Sequence, residues 1–328
     1  MSGSRLIFAP PQRVARRLFA GLPRRAVLVP VIVLLASAAF LFIDRVTMPI
    51  ELWDESRNII NALEMHRNGF WLITTFDGAP DLWNSKPPLM IWLMSASVSI
   101  FGPTEWALRL PSTVAALGSI LLLFAFTRRT TRSTGTAALA ALILTLSPAY
   151  FGEHSARTAD YDLLLLFFTT AYLCLLFIAL HHKRPSAGLL ALIGAAICCA
   201  FLTKSIAALV PGIGVILYIL VTARWSRLWA MPGYIIMAAG IALVLVGFLV
   251  LRESAAPGYL RAAWYNDVGG RFGSILVPEK SRWYYLELLA EGFFSASLLL
   301  LLSPPRSRFK RRSAPPSPSG NRLPAMRR

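Results

Sequence analysis

The 328-residue chain is poor in cysteine, in histidine and in charge. Its three cysteines, Cys174, Cys198 and Cys199, lie in apolar stretches with no histidine or second cysteine pair at ligand spacing. A disulfide framework and a zinc knuckle are thereby excluded. No Gly-rich phosphate loop stands out either, because Gly212-Ile213-Gly214 falls inside an apolar run where close helix packing accounts for it. Charged residues make up only 15% of the chain and hydrophobic ones 56%. The mean hydropathy of +0.58 is too apolar for a water-soluble domain of this length. The bilayer is therefore the main solvent.

Acidic residues are scarce as well, 16 against 33 Lys and Arg, for a net charge of +17. Such an excess attracts polyanions, but its distribution argues for membrane topology and not for nucleic acid. A membrane helix needs roughly 20 apolar residues, and eight stretches qualify: 26–43, 108–126, 136–152, 162–180, 186–203, 205–221, 229–251 and 286–303. The intervening segments 1–25, 127–135, 181–185, 222–228 and 304–328 hold 21 of the 33 basic residues and no Asp or Glu. By the positive-inside rule they are cytoplasmic, so the acidic residues face outward. The apolar run Pro87–Phe101 then does not cross, since crossing would put Arg128, Arg129 and Arg132 outside. The basic N-terminus before Ala26–Ile43, with no clear small-residue cleavage site, reads as an uncleaved signal anchor. The Pro-, Ser- and Arg-rich tail 304–328 reads as disordered. The fold expected is all-α, a polytopic bundle of about eight spans with short interfacial helices in the outer segment 44–108 and a second long outer segment at 252–285.

Five outer constellations could carry chemistry. Glu51-Leu52-Trp53-Asp54-Glu55-Ser56-Arg57 sets an acidic pair just beyond the first span, able to deprotonate a hydroxyl or hold a metal, or simply to start a helix. Asn84-Ser85-Lys86-Pro87-Pro88 fixes a lysine before a short helix, where it could bind phosphate or snorkel to headgroups. In the segment from Glu153 to Asp162, Asp160 and Asp162 precede a span directly, with Arg157 close by. Two carboxylates and an arginine exceed what one helix cap requires. Thr203-Lys204-Ser205 puts a lysine in a tight outer turn, against the charge bias. Arg261, Arg271 and Arg282 stand among Trp264, Tyr265, Trp283, Tyr284 and Tyr285; an interfacial belt explains those aromatics but not the arginines.

The order Asp54-Glu55, Lys86-Pro87-Pro88-Leu89 with Trp92, Phe101-Gly102 and Arg109-Leu110-Pro111-Ser112 resembles the family 39 glycosyltransferases. These are GT-C membrane enzymes related to protein O-mannosyltransferases and lipid A aminoarabinose transferases. The resemblance continues through Ala156 to Asp162, Thr203-Lys204-Ser205 and Asn266 to Arg271, so it spans roughly residues 45–285. It implies a GT-C-like domain over 26–303 in a bacterial inner membrane. The implied reaction moves a sugar, with inversion, from a polyprenyl-phosphate donor to a lipid, glycan or protein hydroxyl at the periplasmic face. It further implies Asp54 as general base with Glu55 beside it, Asp162 as a third carboxylate of the centre, and Lys86, Lys204 and Arg271 around the donor phosphate. Asp160, Arg157 and Trp92 would line the acceptor or sugar pocket. It implies no metal ligands, leaving open whether a divalent cation assists.

Two competing readings belong to other classes. A flippase of lipid-linked sugars would use membrane-embedded charge, but the spans are nearly free of ionisable residues. An inactive scaffold is suggested by the tail after Leu302, where family members continue with further spans; on that ground a C-terminally truncated product is expected.

Overall fold

In the computed structural model the described residues are 49–151, 158–182, 184–222 and 231–269, with Leu28, Ile32, Ala36, Trp283, Leu286 and Glu287. The expected spans 26–43 and 286–303 lie outside them apart from those isolated positions, as do the N-terminal segment 1–25 and the tail 304–328. Helices dominate: α1 (Asp54–Asn68), α2 (Leu89–Phe101), α3 (Glu105–Thr131), α4 (Thr134–Thr145), α5 (Pro148–Phe151), α6 (Asp162–His181), α7 (Ala187–Lys204), α8 (Gly212–Val221), α9 (Pro232–Ala255) and α10 (Tyr259–Trp264). One small antiparallel hairpin, Thr75–Phe76 with Ala79–Pro80, interrupts the all-helical pattern.

Among the described residues four helices are long and apolar enough to cross a membrane: α3, α6, α7 with its 3-10 extension to Ala208, and α9. They coincide with four of the eight apolar stretches, and the protein is a multi-pass membrane protein. Two other stretches are broken where proline removes an N–H donor. The stretch 136–152 divides into α4 and α5 at Pro148, and 205–221 divides into a 3-10 turn over Ser205–Ala208 and the ten-residue α8 after Pro211. The run Pro87–Phe101 forms the 13-residue α2, too short to span at 1.5 Å per residue.

The core is a seam of small and flexible apolar side chains. Ala62 and Met65 of α1, Met90, Ile91 and Met94 of α2, Ala116 and Ile120 of α3, and Ala137 and Ala141 of α4 are fully buried together. Gly118 lets α3 approach α6, since a Cβ there would stand 2.8 Å from the Phe167 ring. α1 stops at Gly69, whose left-handed φ of 73° suits glycine and returns its N–H to the Met65 carbonyl.

α3 runs unbroken through Pro111. Proline there cannot donate to the Ala107 carbonyl four residues back, and the Ser97 hydroxyl of α2 donates to that carbonyl instead at 2.6 Å. Ser97→Ala should therefore destabilise the protein by about 1–3 kcal/mol. In a Pro111→Ala background, where the helix regains its own donor, the same change should cost almost nothing. Denaturation of the four variants in detergent checks this; equal costs in both backgrounds would refute it.

Candidate active site

The N-terminal ends of α1, α3 and α6 and the C-terminal end of α9 meet in a polar layer built on buried side chains. Its centre is Glu55, 2% exposed. One carboxylate oxygen accepts from Arg109 Nε at 2.7 Å and from the Ala159 amide at 2.8 Å; the other accepts from an Arg109 terminal nitrogen at 3.0 Å and the Glu51 amide at 2.8 Å. Arg109, 1% exposed, also donates to the Pro49 carbonyl. Burial opposes ionisation of Glu55, yet the Arg109, Glu51 and Ala159 donors together hold its carboxyl below the ordinary value. Asn58, one turn further along α1, donates to the Ala159 carbonyl at 3.1 Å. Both backbone polar groups of Ala159 are thus pinned to α1, while Ser112 of α3 holds the next carbonyl, that of Asp160.

A second cluster packs the loop after α1. Asp81 takes both arms of Arg57, at 2.8 and 2.7 Å, together with Asn61 Nδ2 and the amides of Trp83 and Asn84. Burial pushes its carboxyl up, but the Arg57, Asn84 and Asn61 donors outweigh burial and keep it below the ordinary range. Asn84 then donates toward Asn58, Asn61 and the Tyr161 hydroxyl. Burial drives the Tyr161 phenol well above its usual value, so it stays neutral. Lys86 follows two residues later, with Nζ 5.2 Å from the centroid of the Tyr161 ring.

The candidate residues therefore take different positions. Asp54 opens α1, is exposed, and makes no hydrogen bond or ion pair among the described residues. It follows Trp53, whose φ of 79° is unusual for a bulky side chain and which is 86% exposed. Glu55, its neighbour, points into the protein and is fully engaged. Asp160 is buried and accepts from the Tyr161 amide at 2.6 Å. Asp162 pairs with Lys204, joining the start of α6 to the end of α7. Neither aspartate supplies a side-chain cap to α6, so capping does not explain them. Lys86 meets Tyr161 and not a carboxylate. Trp92 donates its indole N–H to the Trp71 carbonyl and so packs against the outer loop. Arg157 and Arg271 lie outside the described residues. No group of three or more His, Cys, Asp or Glu that could hold a metal ion occurs among the described residues.

A family model described as dolichyl-phosphate-mannose-protein mannosyltransferase matches residues 85–250, half of the chain. The chain belongs to this family. Its curated relatives include undecaprenyl phosphate-alpha-4-amino-4-deoxy-L-arabinose arabinosyl transferases. That of Edwardsiella ictaluri is 27% identical over 78% of this chain and 47% of its own length, and that of Pseudomonas aeruginosa strain LESB58 is 29% identical over 80% and 48%. Among solved structures, ArnT from Cupriavidus metallidurans bound to undecaprenyl phosphate superposes with a TM-score of 0.66 at 21% identity, across 83% of this chain and 50% of that one. That likeness establishes a GT-C fold. The chain spans about half the length of the curated relatives it matches.

Four sets of partners in this layer were not visible in the sequence: Arg109 with Glu55, Asp81 with Arg57 and Asn61, Asn84 with Asn58, Asn61 and Tyr161, and Arg252 with the Lys86 carbonyl. Each of these side chains sits in a helix or loop whose sequence gives no sign of its partner, because the partner lies 20 or more residues away. Arg109 and Arg252 carried a signal only as charges in largely apolar helices.

Removing one partner of the central pair should be costly. Arg109→Met leaves a buried carboxylate without its cation, and a loss of about 3–5 kcal/mol is expected. Because the Glu55 pKa is depressed on folding, its contribution is complete above the ordinary value of 4.5 and disappears as pH falls through the lower folded value. Wild-type protein should therefore lose stability on acidification below about pH 4.5 more steeply than Glu55→Gln. Parallel slopes in pH-resolved thermal unfolding would contradict this.

Proposed function

We propose that the chain forms the catalytic part of a membrane glycosyltransferase that moves a sugar from a polyprenyl-phosphate donor to a hydroxyl of a lipid, glycan or protein acceptor. The reading rests on one observation above the others. Lys86 is held in the same polar layer as Asp54, Asp160, Asp162 and Lys204, and among the described residues it has no carboxylate to neutralise it. The relatives' own names point to an undecaprenyl-phosphate-linked aminoarabinose as one such donor.

In the chemistry that follows, exposed Asp54 takes the proton of the acceptor hydroxyl, whose oxygen attacks the anomeric carbon from the side opposite the phosphate. The anomeric C–O bond to phosphate breaks, inverting the centre, and the growing negative charge on the departing lipid phosphate meets Lys86, with Lys204 and Arg271 as further cations. Glu55 serves here by fixing the start of α1 and not as a second base. Asp162, held by Lys204, and Asp160, with Arg157 and Trp92, belong to the wall of the sugar or acceptor pocket. We place the outer segments 44–108 and 252–285 on the periplasmic side of a bacterial inner membrane, with residues 1–25 and 304–328 in the cytoplasm; the sidedness of the basic residues supports this.

Asp54→Asn should lower turnover of a polyprenyl-phosphate sugar by about a hundredfold or more. Since Asp54 is exposed and unbonded, its unfolding midpoint should not move. Unchanged turnover would end the assignment of Asp54 as base. Cysteines introduced at Leu52 and Ile206 should both react with a membrane-impermeant maleimide from the periplasm, and labelling from opposite sides would overturn the topology.

A further inference from the structure

The segment 82–86 cannot satisfy its own backbone. Pro87 and Pro88 follow it without N–H groups, and the chain here is neither helix nor strand. Its carbonyls are taken instead by side chains from the second outer segment, more than 160 residues away. Asn266 donates to the carbonyls of Leu82 and Trp83 at 3.0 and 3.1 Å. The Tyr259 hydroxyl donates to that of Ser85 at 2.8 Å, and a terminal nitrogen of Arg252 to that of Lys86 at 3.1 Å.

Arg252 is an expensive choice for that task. It is 1% exposed at the outer end of α9 and has no carboxylate partner among the described residues. Its other contacts are the Thr74 hydroxyl at 3.2 Å and the face of Tyr259, with the guanidinium carbon 4.4 Å from the ring centroid. Its Nε has no hydrogen-bond acceptor among the described residues. A neutral amide could cap one carbonyl without the desolvation a buried guanidinium incurs. What a single amide nitrogen could not do is bond the Lys86 carbonyl and the Thr74 hydroxyl together, as the two terminal nitrogens of one planar group stacked on an aromatic ring do.

We infer that Arg252 is a positioning residue for Lys86. It fixes the peptide from which the lysine reaches Tyr161 and, through that lysine, sets the affinity for the phosphate of a lipid-linked donor. The inference rests on the assignment of Lys86 to the donor phosphate. Arg252 does not touch the ligand, being sealed beneath the loop by Tyr259.

A double-mutant cycle separates this role from mere support of the fold. Binding of undecaprenyl phosphate is measured on the full chain in lipid nanodiscs for wild type, Lys86→Gln, Arg252→Gln and the double variant, with the thermal midpoint of each. Arg252→Gln should weaken binding about tenfold alone and less than about twofold in the Lys86→Gln background, while lowering the midpoint equally in both. If Arg252→Gln does not fold, Arg252→Lys, which keeps the charge and loses the fork, takes its place in the same cycle with a smaller non-additive loss. A full additive loss in the absence of Lys86 would overturn the inference and leave the donor assignment standing. An unchanged affinity of Lys86→Gln itself would remove that assignment, and the inference with it.

Discussion

The Glu55 carboxylate accepts four hydrogen bonds from three parts of the chain that are far apart in sequence: the turn before α1, Arg109 of α3 and the peptide of Ala159 before α6. A buried carboxylate costs several kcal/mol to desolvate, and an arginine on one side would offset that only with good geometry and the remaining lone pairs filled. Here both conditions are met, so the pair is less a source of net stability than a device that admits one arrangement of α1, α3 and the segment around Ala159. A helix turns about 100° per residue, and fixing Glu55 inward therefore fixes Asp54 outward. The orientation of the exposed carboxylate is set by its buried neighbour.

The same logic extends to the rest of the outer layer. Within hydrocarbon every peptide group must be satisfied by the segment itself, which confines irregular backbone to places where protein side chains can reach it. Carbonyls at 82, 83, 85, 86, 107, 159 and 160 are all taken by side chains from other elements. The polar loops are thus knit to one another more tightly than to their own neighbours in sequence. That is how short loops between apolar helices can present charged groups at defined positions.

Much of the architecture was legible in the amino-acid sequence because one physical quantity, apolar length, dominates it. The runs 108–126, 162–180, 186–203 and 229–251 coincide with α3, α6, α7 and α9 to within a few residues at most of their ends. Where apolar stretch and helix differ, a proline stands at the break: 136–152 and 205–221 each have the hydropathy of a span, and Pro148 and Pro211 divide their helices. The candidate acids and bases could be named from their outward clustering, yet their division of labour could not. Asp54 and Glu55 are adjacent and chemically alike, and only tertiary partners 54 and 104 residues away separate them. Nor does anything near Lys86 in the sequence point to Arg252, since the bond between them spans 166 residues.

The partners also sort the charges of the polar layer by burial. Arg57 is neutralised by Asp81 and Arg109 by Glu55, and in both pairs the carboxylate is almost wholly buried. Lys204 and Asp162 form a third pair, but one that remains 23% and 39% exposed, where an arriving anion can compete for the ammonium. Lys86 and Arg252 complete the set with no carboxylate partner among the described residues, one lying over Tyr161 and the other sealed against Tyr259. Field from a neutralised pair falls off quickly, whereas unpaired cations beside a low-dielectric wall act over several ångströms. The exposed Asp54 carboxylate stands outside all three pairs.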